Sequence, residues 1–277
     1  MSDELMLLDG ADGPVQRHVV FAAGDVHAYT CRAPDKESEN EDTVAVIPFG
    51  PQAAIFVVAD GAGGLPAGKR ASATAVSALH ASVQEALDET MLLRTAILNG
   101  IDAANAAVQG LANGSATTLT VVAIEGRTAR AYQIGDSEAL VVGQRGLVRM
   151  QTTAHSPTGF AVEAGFLNEK EALHHEDRHL VSNFLGTPEM RIDVGAEVEM
   201  RPRDTLLLAS DGLMDNVHTS EIIDRIRKGP LDDAMERLIA LAQRRMSGAA
   251  PGQPSKPDDL SMILFRKQRD SVRAESL

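Results

Sequence analysis

The 277-residue chain has no tryptophan, one cysteine, two tyrosines and seven phenylalanines. It also lacks any uninterrupted apolar run near the roughly 18 to 20 residues that a membrane-spanning helix needs. Its apolar runs are short, as at 53–59 and 206–209, so it is not expected to enter a membrane. With Cys31 alone, an internal disulfide and a cysteine-rich zinc site are excluded, and this usage fits a reducing compartment. Cys31 itself reads as an ordinary small side chain. The shortage of aromatics leaves little surface for stacking bases, and a formal net charge of −13 repels a phosphate backbone, so nucleic acid is not an expected partner. Residues 1–13 are acidic, with neither the basic leader nor the long apolar segment of a secretion signal. The expected location is the cytoplasm.

What the chain does have is an aliphatic core in prospect, with 44% hydrophobic and 23% charged residues. Ala73, Val76, Leu79, Val83 and Leu87 recur at steps of three and four, which predicts a helix over 68–89. A second stripe, Ile97, Ile101, Ala104, Val108 and Leu111, predicts another, stopped by Asn113-Gly114. Two more helices are predicted at 220–227 and 231–246, separated by Gly229-Pro230. Short β-branched or apolar runs predict strands at 43–47, 55–58, 117–124, 130–134, 139–142, 205–208 and 260–265. The stretch 117–142 reads as a meander turning at Glu125-Gly126-Arg127. Strands in succession with helices inserted in pairs predict an α+β fold of packed antiparallel sheets covered by helices. Residues 14–266 are expected to form one domain, with a His- and Glu-rich surface insertion at about 151–191. Residues 1–13 and 267–277 are expected to be frayed tails.

Acidic residues stand at the ends of the apolar strands. Asp60 ends 55–59, Asp136 follows 132–135, Asp211 follows 206–210, and Asp258-Asp259 precedes 260–264; Gly61, Gly135 and Gly212 adjoin the first three. Carboxylates gathered at one sheet edge repel one another unless a cation sits among them, so convergence of these acids implies a metal site. Oxygen ligands without a convergent His/Cys set select Mg²⁺ or Mn²⁺ over Zn²⁺. Two such ions about 3.5 to 4 Å apart would share and activate a water for in-line attack on a phosphoryl group. Taken singly, an Asp-Gly pair reads more readily as the start of a turn, and it is the four acids together that weaken that reading.

In their order these motifs resemble the PP2C (PPM) family of metal-dependent protein serine/threonine phosphatases, bacterial type. The resemblance spans 24–266 and rests on Asn40-Glu41-Asp42, Val58-Ala59-Asp60-Gly61-Ala62-Gly63-Gly64, Gly68 with Ala71-Ser72, Ser115-Ala116-Thr117-Thr118, Ile134-Gly135-Asp136-Ser137, the run 208–215 and Asp258-Asp259-Leu260-Ser261. It implies an αββα sandwich with a flap-like insertion and a binuclear Mn²⁺ or Mg²⁺ centre at one end. It also implies hydrolysis of phosphoserine and phosphothreonine on proteins, a cognate Ser/Thr kinase or its substrates being among the expected partners of a monomeric enzyme. Carried over, Asp60 would bridge both ions, Asp211 and Asp258 would bind one, and Gly61 and Glu41 would serve the other with Asp42 in support. Asp136 and Asp215 would hold a weaker third ion.

The chain departs from the family pattern in places. Glu37 stands where an arginine usually clamps the substrate phosphate, leaving Arg32 and Lys36 as candidates for that role. This departure raises a second reading, a catalytically weak phosphoprotein-binding relative. Asp259 replaces a common Asn, Glu138 a frequent Arg, and Ala62 a His found in some relatives. His155 is expected to order the insertion, and His174, His175 and His179 to be solvated surface.

Overall fold

An apolar run without alternation makes a stable strand only where both faces of its sheet are covered. That is the setting of the central strands in the computed structural model, which describes residues 4–10, 13–22, 24–62, 67–112 and 114–267. The chain opens with β1 (Met6–Asp9), β2 (Val15–Phe21), β3 (Gly24–Cys31), β4 (Asp42–Pro48) and β5 (Ala53–Asp60), followed by α1 (Gly68–Asp88) and α2 (Leu93–Gln109). Next come β6 (Leu119–Glu125), β7 (Thr128–Ile134), β8 (Glu138–Val142), β9 (Val148–Gln151), α3 (Pro157–Glu163) and α4 (Glu169–Ala172), then a 3₁₀ turn at Glu176–His179. The last stretch holds β10 (Asp193–Val194), β11 (Val198–Glu199), β12 (Thr205–Ala209), α5 (Asp211–Met214), α6 (Thr219–Ile226), α7 (Leu231–Met246) and β13 (Leu260–Lys267).

One antiparallel sheet runs β1-β4-β5-β6-β7, with β10 and β11 both paired to β7; the other runs β2-β3-β13-β12-β8-β9. Val44, Phe56, Val58 and Val122 of the first sheet meet Leu206, Leu208, Ile263 and Phe265 of the second in the central core. The Phe56 and Phe265 rings pack there with centroids 5.1 Å apart. The alternate residues face outward: Ile55, Val57 and Val121 against α1 and α2, and Leu207, Met262 and Leu264 against α5 to α7. The architecture is therefore the expected αββα sandwich, with the central strands of both sheets buried on both faces. Among the described residues no helix is long and apolar enough to cross a membrane.

Three expectations are corrected. Residues 6–9 are not frayed: β1 pairs antiparallel with β4, Met6 opposite Val46 and Asp9 opposite Thr43, and buries Met6 and Leu8 in the core. Lys267 belongs to β13, while residues 268–277, like the Gly63-Gly64 pair and Asn113, lie outside the described residues. The stretch 117–142 is not a meander. β6 and β7 form a hairpin, but β8 joins the other sheet, pairing with β12 and β9. The crossing occurs at Gly135, whose φ of 99° is a left-handed value that L side chains rarely adopt. His155 locks it, receiving the Gly135 N–H at Nδ1 (3.2 Å) while its own N–H donates to the Gly135 carbonyl (2.9 Å). Asn183 Nδ2 also donates to Nδ1 at 2.8 Å, which leaves Nε2 as the protonated nitrogen, facing Asp193 at 3.1 Å.

β3 carried no strand prediction, because His27 and Thr30 interrupt its apolar side chains, yet both are buried. His27 stacks on His18 across the β2/β3 pair with ring centroids 4.3 Å apart, and its Nδ1 has no hydrogen-bond partner among the described residues. Burial chiefly, and then His18, lower the His27 pKa below 6.5 against the weaker opposing pull of Asp232 and Asp25. The folded state thus favours the neutral ring. The stability this contributes is full above the unfolded value and is lost as the pH falls from about 6.5 through the folded value. Replacing His27 with Leu is expected to flatten the decline in melting temperature between about pH 7.5 and 5.5. Parallel pH profiles in the two proteins would refute the assignment.

Candidate active site

The acids reach one place because the strands that carry them end at the same edge. Asp42 and Asp60 are register partners where β4 begins and β5 ends. On the second sheet, Ala209 at the end of β12 lies between Met262 of β13 and Glu138 of β8. Asp211, Asp258 and Asp136 lie within a few residues of these ends. The result is a cleft of about 640 Å³ lined by Glu41, Asp60, Gly61, Asp136, Asp211, Asp258 and Asp259, together with Lys36, Lys256 and His179. A neighbouring cavity of about 320 Å³ under α3 and α4 shares Asp136 and Asp211 and adds Asp215 and Glu138.

Short hydroxyl bridges hold the two sheets together at this edge. Ser210 Oγ donates to Asp42 Oδ2 at 3.0 Å and accepts the Ser261 N–H at 3.1 Å. Thr30 Oγ1 lies 2.8 Å from Ser261 Oγ and accepts from Asn40 Nδ2 at 2.8 Å, while Asn40 Oδ1 accepts the Asp42 N–H at 2.9 Å. Asp60 is fixed through its main chain. Its N–H donates to Thr118 Oγ1 at 3.0 Å, and its carbonyl accepts from the Thr117 hydroxyl and the Thr118 N–H, both at 2.8 Å. The Gly61 N–H donates to the Glu41 carbonyl at 3.1 Å. Ser72 at the start of α1 donates to that same carbonyl at 2.6 Å.

Electrostatically the cluster is short of positive charge. Asp60 is pushed well above the usual carboxylate range by burial first and then by Asp42, Asp211, Asp258 and Asp136. Asp42 is raised by burial and Asp259, and Asp136 by burial, Asp211 and Asp215. Burial and Asp211 bring Asp258 to about 7 and Asp215 to about 6, with Lys256 opposing in both cases. Glu138 is pushed up to about 8, mainly by burial. The buried oxygens Asp42 Oδ1 and Asp211 Oδ1 have no hydrogen-bond partner among the described residues. Paired lone pairs are the rule in a protein interior, so these two oxygens, in an oxygen-only set of like charges, fit a hard divalent cation. Among the described residues no three acid, His or Cys side chains already form a closed metal cage. Lysine ammonium groups stand among the carboxylates instead.

Lys36 donates to Glu41 Oε2 at 2.9 Å and to Asp259 Oδ2 at 2.6 Å. Asp259 also accepts the Ala33 N–H at Oδ1 and the Glu41 N–H at Oδ2, both at 2.8 Å. The departure from Asn at 259 is thus matched by a nearby cation, and the pair ties the 33–41 loop to the start of β13. Arg32 does not line the cleft, and Glu37 is exposed outside it. Lys36 is the candidate phosphate contact that the fold brings to the site. His175 accepts the Asp177 N–H at 3.1 Å to cap the 3₁₀ turn, whereas His179 reaches the cleft wall.

Sequence reasoning missed Lys256, whose ammonium contacts Asp211, Asp215 (2.9 Å) and Asp258 (3.3 Å). Its position two residues before Asp258 was the available signal.

An αββα sandwich with a carboxylate-lined cleft at the common edge of both sheets is the class that the fold and site define. The sequence pattern of the family described as protein phosphatase 2C matches residues 33–248. Protein phosphatase PhpP of Streptococcus pneumoniae is 31% identical over 216 residues, covering 75% of this chain and 87% of that protein. The crystal structure of the PPM Ser-Thr phosphatase MsPP from Mycobacterium smegmatis, in complex with cacodylate, is similar with a TM-score of 0.70 and 29% identity, covering 87% of this chain and 97% of that one. The catalytic domain of serine threonine protein phosphatase PstP, solved with two manganese ions, matches with a TM-score of 0.67 and 25% identity over 91% of this chain and 98% of that one. This chain belongs to the protein phosphatase 2C family.

Proposed function

We propose that the chain is a metal-dependent phosphatase acting on phosphoserine and phosphothreonine in proteins. The observation that carries this reading is the convergence of Asp60, Asp136, Asp211 and Asp258 on one cleft, beside buried carboxylate oxygens of Asp42 and Asp211 that have no hydrogen-bond partner among the described residues. Asp60 would be shared by two ions, Asp211 and Asp258 would hold one, and Glu41, the Gly61 carbonyl and Asp42 would serve the other. Asp136 and Asp215 fit a third. Bound Mn²⁺ or Mg²⁺ supplies Lewis acidity, which makes water nucleophilic at neutral pH and offsets charge on the phosphoryl oxygens. The protein's part is to hold the carboxylates in place through the Ser210, Thr118 and Asn40 bridges, and to present Lys36 at the lip of the cleft, oriented by Asp259. Lysine holds phosphate as a point charge without the forked geometry of arginine.

The catalytically weak reading is not favoured: Glu37, which prompted it, lies outside the cleft, and the relatives are named as phosphatases. PhpP and PstP bear phosphatase names, which supports phosphorylated proteins as the substrate class. A cognate kinase or its substrates and a monomeric state complete the proposal.

The test is hydrolysis of an aryl phosphate and a phosphothreonine peptide with Mn²⁺, then with chelator. Activity should depend on the metal and vanish on chelation. Mn²⁺ should also raise the melting temperature, because a ligand bound only by the folded state at a hundredfold excess over its Kd stabilises by about 2.7 kcal/mol. Metal-independent hydrolysis, or a melting temperature indifferent to Mn²⁺ and chelator, would count against the reading.

A further inference from the structure

Two ammonium groups line the acidic cleft, and they are placed differently. Lys36 is committed to Glu41 and Asp259 at the loop side. Lys256 reaches three acids at once, Asp211, Asp215 and Asp258, whose Oδ2 atoms all face its Nζ. This placement is built into the fold and is not the resting position of a surface lysine. The Lys256 N–H donates to Asn216 Oδ1 and its carbonyl accepts from Asn216 Nδ2, both at 2.8 Å. Asn216 is fully buried, and its second amide hydrogen bond goes to the Gly212 carbonyl at 2.9 Å, within α5, the helix that carries Asp211. Buried Arg245 of α7 donates to the Asn216 carbonyl at 2.6 Å, and Ser255 donates to the Arg245 carbonyl at 2.7 Å. Both peptide groups of Lys256 are therefore clamped to α5, which aims its side chain into the cluster.

We propose that Lys256 is a tethered cation that holds Asp211, Asp215 and Asp258 together in the metal-free protein and competes with the divalent ion for them. The proposal rests on the metal-dependent reading above. Lys256 holds the Oδ2 atoms of Asp211 and Asp258, and Asp258 Oδ1 already accepts the Asp259 N–H, so a divalent ion that draws on these Oδ2 atoms as well as on the open Asp211 Oδ1 requires the lysine side chain to leave. Four flexible methylenes allow that without movement of the clamped backbone. Lys36 takes one oxygen of Glu41 but leaves Asp60 and Asp42 Oδ1 without an ammonium partner among the described residues, whereas Lys256 engages both Asp211 and Asp258, so the two halves of the centre differ. The half held by Asp211 and Asp258 is the weaker one, and its occupancy depends most on free metal. Lys256 thereby sets the Mn²⁺ concentration at which the centre becomes complete.

The test compares Mn²⁺ binding by calorimetric titration of the full chain, stripped of metal, in wild type, Lys256→Met and Lys256→Gln. Both variants should bind their weaker Mn²⁺ on the order of tenfold or more tightly, the factor associated with one charge-assisted contact. Both should also melt at a lower temperature without metal and gain more on adding it. The glutamine variant guards against a packing defect peculiar to methionine. A wild-type crystal structure with Mn²⁺ gives an independent readout, in which the Lys256 ammonium should have left Asp211 and Asp258. Equal or weaker Mn²⁺ binding in the variants, or a loaded structure with Lys256 still on both acids, would overturn the competition while leaving the metal centre intact. Absence of Mn²⁺ binding in all three proteins would overturn the metal centre and this proposal with it.

Discussion

Replacing Asp60 with asparagine is expected to abolish hydrolysis while the fold persists and the metal-free protein gains stability. Asn is nearly isosteric, and the bonds that position residue 60 run through its main chain to Thr117 and Thr118, so the local backbone has no reason to move. What changes is charge. Burial and four neighbouring carboxylates oppose ionisation of Asp60, and the amide removes that repulsion. The same change removes the ligand that would be shared by both ions. Metal-centred charge stabilisation is worth several kcal/mol, so turnover should fall by about 10³-fold or more. The measurement is kcat on an aryl phosphate at saturating Mn²⁺, with circular dichroism and melting temperature as controls. Asp211→Asn should behave similarly in turnover. Near-wild-type kcat in either variant would exclude the binuclear assignment.

The largest effect on stability is expected from Gly212→Ala. A Cβ at 212 would run into the Asp259 carbonyl oxygen and stand 3.2 Å from Leu260 Cα. Both obstacles are backbone of the strand start that carries Asp258, so no side chain can turn aside. Either α5 shifts away from β13 or the 258–260 segment is pushed out. Overpacking of this kind costs about 3 kcal/mol when relaxation is blocked, which in a domain of this size lowers the melting temperature by roughly 6 °C or more. Because Asp211 and Asp258 sit on the two segments forced apart, metal-induced stabilisation should shrink as well. Gly13→Ala, where an added Cβ meets nothing within 4 Å, serves as the control and should leave the melting temperature unchanged. A Gly212→Ala protein that melts with the wild type would show that the close approach of α5 and β13 is not a constraint.

The difference between these two sites bears on what a sequence can reveal. Asp60 is legible because an acid ending the run Ile55-Phe56-Val57-Val58-Ala59 is chemically conspicuous. Gly212 is legible as a motif residue, but its reason, the nearness of Asp259, belongs to a pairing 47 residues away in the chain. Helix α7 appears at the predicted bounds because its apolar stripe has the helical period and Gly229-Pro230 breaks the chain before it. β1 and β3 escaped prediction for a shared reason: β1 is four residues long and β3 contains His27 and Thr30, so neither has a periodic signal of its own. Each becomes a strand because a neighbour, β4 or β13, offers it a hydrogen-bonded edge.

By itself the sequence determined helices α1, α2, α6 and α7, though not the short α3, α4 and α5, together with the doubly buried central strands and the acids at their ends, since periodicity, apolar runs and carboxylates are local properties of a chain. The fate of 117–142 depended on more. Gly135 could turn β8 back onto β7 or send it to the second sheet, and only His155, Asn183 and the open flank of β12 select the crossing. The cationic side of the cleft was likewise decided by tertiary structure. Arg32, Lys36 and Glu37 lie within six positions of one another, yet of these three Lys36 alone lines the cleft, where Asp259 from the far end of the chain receives it. Lys256 meets Asp211 and Asp215 for the same physical reason. Coulomb attraction acts through space, and the distances that set it exist only after Asn216 has pinned the 256 backbone to α5.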